Sequence, residues 1–272
     1  QCLDAGMNDH IAKPIELEKL QGLLRTWLPR RPQSPAIDSG SSAACAAAPV
    51  NNLDERGVTR PQGGGCDLGA FESRGFTLMS AGGSPQETPI FSPFALPLAV
   101  LAGSANAEPV GAGGVITLTP PVEGPGLSVT TPFTISTDAA GLTAGTVVTA
   151  NGVAGSFTVT ATTAGGGSPA VFSLINTKRN PTVTLAISPN PAAYNAALTL
   201  TATVTTTLGE GIDPLTGNVV FTATTNVINT SSALASGSAV VGVNALPAGI
   251  YTVTATYGGD ATHLPGEATA TV

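Results

Sequence analysis

Apolar and aromatic residues alternate with threonine in the stretch Gly249-Ile250-Tyr251-Thr252-Val253-Thr254-Ala255-Thr256-Tyr257. A strand places successive side chains on opposite faces of its sheet, so Tyr251 and Val253 would face a core while the threonines face water. Residues 198–205 follow the same rule, with leucine, alanine and valine on one face and threonine on the other. Alternation with a period of two predicts half-buried strands of an antiparallel sheet.

The same stretch has an earlier counterpart in the chain. Residues 155–162 repeat the pattern of residues 249–256, and upstream of each copy residues 114–119 echo residues 217–222. Each copy spans about 90 to 100 residues, a usual size for an immunoglobulin-type sandwich. The sequence therefore predicts a mainly β chain with two tandem Ig-like antiparallel β-sandwiches.

The composition supports this fold class and excludes two classes of partner. Only 10% of the residues are charged, whereas about a quarter is usual, and the net charge is −7. From Gly75 onward the sequence has eight acidic residues and only two cations, Lys178 and Arg179. Nucleic-acid binding needs clustered cations, and a membrane-spanning helix needs about 20 apolar residues in a row. We therefore expect no nucleic-acid partner and no membrane insertion.

Two short motifs connect the sandwiches to a known family. Residues 188–191 read Ser-Pro-Asn-Pro, and residues 255–260 read Ala-Thr-Tyr-Gly-Gly-Asp. With these motifs, residues 76–272 resemble the bacterial Ig-like (Big-type) repeat domains of surface adhesins. We assign one domain to residues 76–178 and a second to residues 179–272.

The resemblance carries several expectations about function. It implies a structural or adhesive role, an extracellular or cell-surface location, and no catalytic residue. The implied partners are neighbouring Ig-like modules and an unidentified surface ligand, either protein or carbohydrate. Tyr251 stands where such folds carry a tyrosine corner, whose hydroxyl bonds to nearby backbone, whereas Phe157 in the first copy cannot form that bond.

The first thirty residues differ from the rest. Residues 16–28 show the chain's one clear helical periodicity, and residues 5–15 read Ala-Gly-Met-Asn-Asp-His-Ile-Ala-Lys-Pro-Ile. Residues 1–30, with their short α-helix, resemble the C-terminal fragment of a response-regulator receiver domain. The resemblance makes Lys13 a vestigial phosphate-contact position, but the family's acidic pair and phospho-acceptor aspartate are missing upstream. Two-component phosphorelay signalling is therefore kept as an alternative function.

The next segment, residues 31–75, resembles a different family. Residues 54–63 read Asp-Glu-Arg-Gly-Val-Thr-Arg-Pro-Gln-Gly, and residues 66–72 read Cys-Asp-Leu-Gly-Ala-Phe-Glu. On these motifs, residues 33–73 resemble the closing segment of bacterial right-handed parallel β-helix surface proteins. The resemblance implies a secreted protein and a second alternative function, the non-catalytic tail of a carbohydrate-active β-helix protein.

Cys45 and Cys66 bracket a loop of this segment, and we predict a disulfide between them that stabilises it by about 3 kcal/mol. The alternative, a zinc site, lacks an accompanying histidine or second cysteine pair. Cys2 is left over in the receiver-like piece, whose own family is cytoplasmic, whereas disulfides last in oxidising compartments. This conflict indicates that residues 1–30 did not originate with the rest. Because the chain begins at Gln1 without a methionine and residues 268–272 still alternate as a strand, we expect an internal fragment of a longer protein.

The sequence contains no complete set of catalytic residues, so we predict no enzyme activity, no cofactor and no metal site. His10 and His263 are isolated, and no Gly-x-Ser-x-Gly motif is present. Asp213 and Asp260 could contribute to a calcium site between modules, but each stands alone and Ca²⁺ takes about six to eight oxygens. The simpler interpretation is that both aspartates are solvated turn residues and that His263 lies in an exposed loop.

Overall fold

The computed structural model describes residues 36–108, 110–164, 166–208, 212–244 and 246–272. The predicted helix at residues 16–28 and the predicted position of Lys13 lie outside the described residues. The chain divides into two compact units, residues 1–75 and residues 76–272. The predicted fold class is confirmed: the chain is mainly β, with several sheets that form Ig-type sandwiches and one short α-helix among the described residues.

The described part of the first unit is built around a disulfide and buried charges. Its helix α1 (Ser42–Ala46) begins after Ser41, whose hydroxyl accepts a hydrogen bond from the backbone N–H of Ala44 at 3.4 Å. The buried side chains of this unit include four charged ones and the two cysteines. The charged residues are Asp54, Arg60, Asp67 and Glu72.

Asp54 shows how these charges are accommodated. Its carboxylate accepts hydrogen bonds from the backbone N–H groups of Arg56, Val58 and Glu72 and from the Arg56 guanidinium. Burial alone would raise the pKa of Asp54, but the bonds from Val58, Glu72 and Arg56 outweigh it and hold that pKa well below its usual range. The carboxylate therefore organises the turn that the Asp-Glu-Arg-Gly motif encodes.

Among the described residues, the first sandwich of the second unit has seven strands. The larger sheet has the order β2-β7-β6-β4-β5, in which β2 runs parallel to β7 and the other neighbours are antiparallel; the smaller sheet pairs β1 with β3. The strands are β1 (Thr77–Gly82), β2 (Gln86–Pro89), β3 (Ala99–Gly103), β4 (Val115–Thr119), β5 (Phe133–Ser136), β6 (Gly155–Thr162) and β7 (Ala170–Thr177).

The described part of the second sandwich also has seven strands, in sheets of order β12-β9-β8 and β11-β10-β13-β14. All of its paired strands are antiparallel. The strands are β8 (Thr182–Ser188), β9 (Leu198–Thr205), β10 (Asn218–Ala223), β11 (Asn229–Ala233), β12 (Ser238–Val243), β13 (Thr252–Tyr257) and β14 (Gly266–Thr271), with a 3-10 turn at Thr224–Asn226.

The predicted alternation sets the core of each sandwich. In β13, Val253, Ala255 and Tyr257 are fully buried, while Thr252 is exposed and the other threonines are partly so. The two sequence echoes fall on equivalent strands, because β4 pairs antiparallel with β6 just as β10 pairs with β13. The repeat in the sequence is thus a repeat of the same strand pair.

The position of Tyr251 distinguishes the two copies. Its hydroxyl donates a hydrogen bond to the carbonyl oxygen of Pro247 at 2.9 Å, the bond expected of a tyrosine corner. In the first copy Phe157 is buried instead and packs edge-on against Phe94, with ring centroids 6.3 Å apart. The second copy thus gains a polar anchor where the first uses aromatic packing.

We expect Tyr251→Phe to lower the free energy of unfolding by about 1 kcal/mol, because the Pro247 carbonyl loses the hydrogen bond from the Tyr251 hydroxyl. Urea denaturation of the full chain measures this difference. Tyr194→Phe is the matched control, since Tyr194 is 78% exposed and its change should stay within about 0.5 kcal/mol. Equal changes in the two variants would show that the corner bond adds no stability.

Candidate functional site at the junction of the two sandwiches

The two sandwiches of the second unit are joined by a four-residue linker, residues 178–181, between the end of β7 and the start of β8. Its first two residues, Lys178 and Arg179, are the only cations of the sequence after Gly75. Both side chains fold back onto the protein. The scarce positive charge of this unit is therefore concentrated at one place, the connection between the sandwiches.

The guanidinium of Arg179 bonds to both sandwiches. Nε and Nη2 donate to the carbonyl oxygen of Ile90 at 3.0 and 2.7 Å, and Nη2 also donates to the hydroxyl of Ser92 at 2.9 Å. On the side of the second sandwich, Nη1 donates to the Thr207 hydroxyl at 3.0 Å, and Nε lies 3.7 Å from Asp213 Oδ2. The planar fork of five donors in arginine suits such a many-sided contact.

The linker backbone is also tied to the second sandwich. The N–H of Arg179 donates to the carbonyl of Thr262 at 2.9 Å, and the N–H of Leu264 donates to the carbonyl of Arg179 at 2.8 Å. Next to it, the ammonium group of Lys178 donates to the carbonyl oxygen of Asp260. The linker therefore lies along the loop between β13 and β14 rather than hanging free between the sandwiches.

His263 is fully buried in this loop, so the expectation of an exposed histidine is wrong. Its Nδ1 lies 3.0 Å from Asp260 Oδ1, and its Nε2 lies 3.0 Å from Asp213 Oδ2. The contact with Asp213 lacks the alignment of a hydrogen bond, although the two side chains lie close together. Two carboxylates from different loops therefore flank one imidazole ring. We call Arg179, Asp213, Asp260 and His263 the junction cluster.

The carboxylate of Asp260 is the best-satisfied group of the junction cluster. Oδ2 accepts hydrogen bonds from the backbone and hydroxyl of Thr216, and Oδ1 accepts from the backbone N–H groups of Thr262 and His263 and from the Thr262 hydroxyl. Burial alone would raise the pKa of Asp260, but these bonds, with a further contribution from Tyr257, hold it well below its usual range. Asp260 therefore stays ionised throughout the neutral range.

We expect the free energy of unfolding of the second unit to decrease as the pH falls below about 4. The pKa of Asp260 is lower in the folded chain than in the unfolded one. Its carboxylate therefore stabilises the folded chain at pH values above the usual aspartate pKa, and this stabilisation is lost as the pH falls below that pKa. Asp260→Asn should give a shallower acid dependence in urea denaturation. Glu267→Gln, which neutralises an exposed carboxylate, is the control, and an unchanged pH slope in Asp260→Asn would contradict the assignment.

The expectation that Asp213 and Asp260 are separate, solvated turn residues is also wrong. Asp213 is only 2% exposed, and both carboxylates contact His263. The three-residue spacing of Asp260 and His263 in the sequence could have indicated that these two side chains contact each other. The contact with Asp213 comes from the loop between β9 and β10, and only the sandwich fold brings that loop to His263.

Calcium does not fit these residues. Asp213 faces the guanidinium of Arg179 and the ring of His263, and both oxygens of Asp260 are filled by N–H and hydroxyl donors. The carbonyl of Asp260 is taken by Lys178. Within the described ranges, no group of three or more His, Cys, Asp or Glu side chains could hold a metal ion. Side chains and backbone donors of the protein therefore already contact the oxygens that a calcium ion would need.

In the first unit, the structure joins Cys45 and Cys66 in a disulfide, with Cα atoms 6.7 Å apart. Both residues are buried. Since the two sulfur atoms are bonded to each other, neither is a thiolate that could bind zinc.

The comparison with known sequence families adds to this geometry. Residues 185–272 match the bacterial Ig-like domain (group 3). The matched range runs from within β8 to the end of the chain, about a third of its length, and includes Asp213, Asp260 and His263. The resemblances proposed for residues 1–30, 33–73 and 76–184 lie outside this range and stay predictions. A comparison with curated proteins finds no match.

Three solved structures align with this chain at low sequence identity. The Yersinia pseudotuberculosis adhesin InvE aligns at 18% identity and a TM-score of 0.34, over 72% of this chain and 58% of that one. A putative membrane anchored protein from Corynebacterium diphtheriae aligns at 16% identity and a TM-score of 0.31, over 69% of this chain and 52% of that one. A red sea bream transglutaminase aligns at 15% identity and a TM-score of 0.34, over 71% of this chain and 31% of that one. The chain thus spans less than two thirds of each. Because every TM-score is below 0.5, these likenesses carry no argument about function.

Among the residues that the structure describes, no helix has the length and apolar character needed to cross a membrane.

Proposed function

We propose that residues 76–272 are a non-catalytic spacer of a bacterial cell-surface or secreted protein, in which two Ig-like sandwiches are held at a fixed angle. The observation that carries the proposal is the guanidinium of Arg179, which bonds to Ile90 and Ser92 of the first sandwich and to Thr207 of the second. A free hinge would leave this linker in water. Here the linker is bonded on both sides, as a stiff stalk requires.

Three further observations support a surface role. The match of residues 185–272 to a bacterial Ig-like domain supports a structural role for the second sandwich. The Cys45–Cys66 disulfide fits an oxidising, extracytoplasmic compartment. The outward faces of the strands carry threonine and few charges, as on Thr199, Thr203 and Thr252. The stalk would hold a ligand-binding part away from the cell surface, with protein or carbohydrate as the ligand.

The two alternatives rest on other parts of the chain. Phosphorelay signalling depends on residues 1–30 and a β-helix tail on residues 33–73, and no contact of the described sandwiches favours either one. The disulfide argues against a cytoplasmic signalling protein for residues 36–75.

The test is the distance between the two sandwiches in solution. Spin labels at Thr158→Cys and Thr199→Cys, both exposed positions, would report it by pulsed electron paramagnetic resonance in the full chain with Cys2→Ser. The proposal predicts one narrow distance distribution. A variant with a flexible Gly-Ser insertion after Asn180 provides the reference for a free hinge. A wild-type distribution as broad as that of the insertion variant would reject a rigid spacer.

A further inference from the structure

Strand β12 (Ser238–Val243) is an edge of the three-stranded sheet in the second sandwich. Among the residues that the structure describes, its ladder partner is β9, and no strand is hydrogen-bonded to its other side. In an antiparallel ladder, every second N–H and C=O group of an edge strand points away from the sheet. One side of β12 therefore offers a row of backbone donors and acceptors with which another strand can pair.

The other edge strands of this sandwich are covered or carry polar or charged side chains. Strand β14 carries Glu267, and β11 has the sequence Asn-Thr-Ser-Ser-Ala. Strand β14 also lies alongside β8, where a Cβ atom at Gly266 would approach Val183 to 3.0 Å. Charges and prolines are the usual features that keep edge strands from pairing, and β12 has neither.

The side chains of β12 are apolar on both faces of the strand. Its sequence is Ser-Ala-Val-Val-Gly-Val, and Val240 near its centre is 51% exposed. Val241 and Val243 point the other way and pack against the core. Covering Val240 with a second apolar strand would remove its exposed surface from water, which is favourable.

The strands around β12 carry no charge. Residues 214–259, which include β10 to β13, contain no aspartate, glutamate, lysine, arginine or histidine. A highly charged partner would lose the hydration of its charges here and gain no counter-charge. The edge therefore fits an uncharged strand rich in β-branched residues, and β12 of a second copy of this chain is such a strand.

The charge of the first sandwich favours one direction of pairing. Residues 76–177 contain four acidic residues and no lysine, arginine or histidine. Copies that run in the same direction would bring two acidic sandwiches together, and like charges repel. Copies that run in opposite directions keep them at opposite ends, because β12 begins beside the junction, where Ser238 pairs with Thr203 near the end of β9.

We propose that β12 is a self-recognition edge: two copies of the chain pair antiparallel through β12 and form a continuous sheet with three strands from each copy. With a two-fold axis at Val240, the two Val240 side chains lie opposite each other, and the exposed residues of both copies share one face of the joint sheet. The place where the pair acts rests on the proposed surface function. Because the copies run in opposite directions, the pair joins stalks that stand on facing surfaces.

The test is the association of the full chain, measured by sedimentation velocity between about 10 μM and about 1 mM. We expect a monomer that forms dimers as the concentration rises, and no larger species, because the pair uses both β12 edges. Val240→Lys places two ammonium groups opposite each other, so it should raise the dissociation constant at least about fivefold at low salt and less at high salt.

Val220→Lys is the matched control for this variant. It puts the same charge at an exposed valine of β10, which has a strand partner on both sides, so its dissociation constant should stay within about twofold of the wild type. Val240→Thr keeps a β-branched, uncharged side chain at the edge and should also still form the dimer.

A single spin label at Thr199→Cys, in the chain with Cys2→Ser, reports the orientation of the two copies. Thr199 pairs with Gly242, so antiparallel pairing about Val240 places the two labelled Cα atoms about 20 Å apart. A single label at Thr158→Cys, in the first sandwich, should give a longer distance between copies. The reverse order of the two distances would contradict antiparallel pairing.

A monomer at every concentration, growth beyond the dimer, or equal weakening by Val220→Lys overturns the proposal. If Val240→Lys does not fold, the wild-type concentration series and the label distances decide alone. The stiffness of the junction is a separate result. A monomer with a narrow distribution between the Thr158→Cys and Thr199→Cys labels overturns the pairing and leaves the rigid spacer standing, whereas a dimer with a broad one overturns the rigid spacer and leaves the pairing.

Discussion

Replacing Arg179 by methionine is expected to lower the free energy of unfolding of the second unit by about 3 kcal/mol, the lower end of what is usual when one partner of a buried ion pair is removed. Methionine keeps much of the apolar stem but leaves the Asp213 side chain, which is 2% exposed, without its arginine. It also removes both hydrogen bonds to the Ile90 carbonyl. Urea denaturation monitored by circular dichroism measures the loss.

Arg179→Lys is the matched control for this prediction. Lysine retains the positive charge but has one point-like donor group in place of the planar fork, so it can serve Asp213 or Ile90 but not both sandwiches. We expect it to recover part of the stability and little of the fixed distance between the labels at Thr158→Cys and Thr199→Cys. If Arg179→Met has the same free energy of unfolding as the wild type, Arg179 does not contribute to the stability of the junction.

A double-mutant cycle separates the contribution of Asp213. Asp213→Asn alone removes a charge that faces Arg179 and His263. Because Arg179 and Asp213 are in contact, their combined substitution should cost less than the sum of the two single ones, by about 1 kcal/mol or more. Strictly additive effects would show that the ion pair across 3.7 Å does not couple the linker to the second sandwich.

Reduction of the Cys45–Cys66 disulfide is expected to destabilise the first unit by about 3 kcal/mol, given a sequence separation of 21 residues. The described part of this unit buries Asp54, Asp67 and Glu72 as well as its cysteines, so a small loss of stability is expected to unfold it. Limited proteolysis with intact-mass analysis, run with and without reductant, is the measurement. We expect reductant to expose residues 36–75 to cleavage while residues 76–272 remain intact.

Two outcomes separate the role of the disulfide from a general effect of the reductant. The double variant Cys45→Ser and Cys66→Ser should reproduce the cleavage without reductant, whereas Cys2→Ser should behave as the unmodified chain does. Equal resistance of the first unit before and after reduction would mean that its hydrogen-bonded carboxylates suffice to hold it. That result would also remove one support for an extracellular location.

The parts of the fold that the sequence predicts are those with a local signal. Strict alternation in β9 and β13 predicts which residues enter the core, because a period of two is a property of the strand itself. The repeat of Gly155–Thr162 at residues 249–256 likewise identifies an equivalent strand in each sandwich. Tyr251 was predictable from its place after a turn that ends in Gly249.

Other parts of the fold follow from contacts between distant residues. The strand β2 (Gln86–Pro89) ends in a proline and lacks alternation, and it forms because its backbone pairs in parallel with β7. The burial of His263 has the same origin, since the loop between β9 and β10 supplies Asp213. Single-residue patterns carry no information about which loop will lie opposite a given side chain.

The two cations of the second unit show the same limit. From the sequence, Lys178 and Arg179 indicated only that a basic groove is absent and that a short linker follows β7. Their role depends on geometry: one backbone carbonyl of each sandwich lies within reach of the two side chains, Ile90 for Arg179 and Asp260 for Lys178. The sequence shows that cations are scarce after Gly75, but only the folded structure shows which carbonyl groups these two cations bind.

The two sandwiches are expected to move as one body, and residual dipolar couplings of backbone N–H groups measure whether they do. Measured in the full chain in a weakly aligned medium at about pH 6, couplings from strands β4, β6 and β7 define one alignment tensor, and couplings from β9, β10 and β13 define another. If the junction is rigid, the two tensors have the same magnitude and orientation once both are expressed in the frame of the structure. Tensors of clearly different magnitude would mean that the sandwiches reorient independently and that the junction is a hinge.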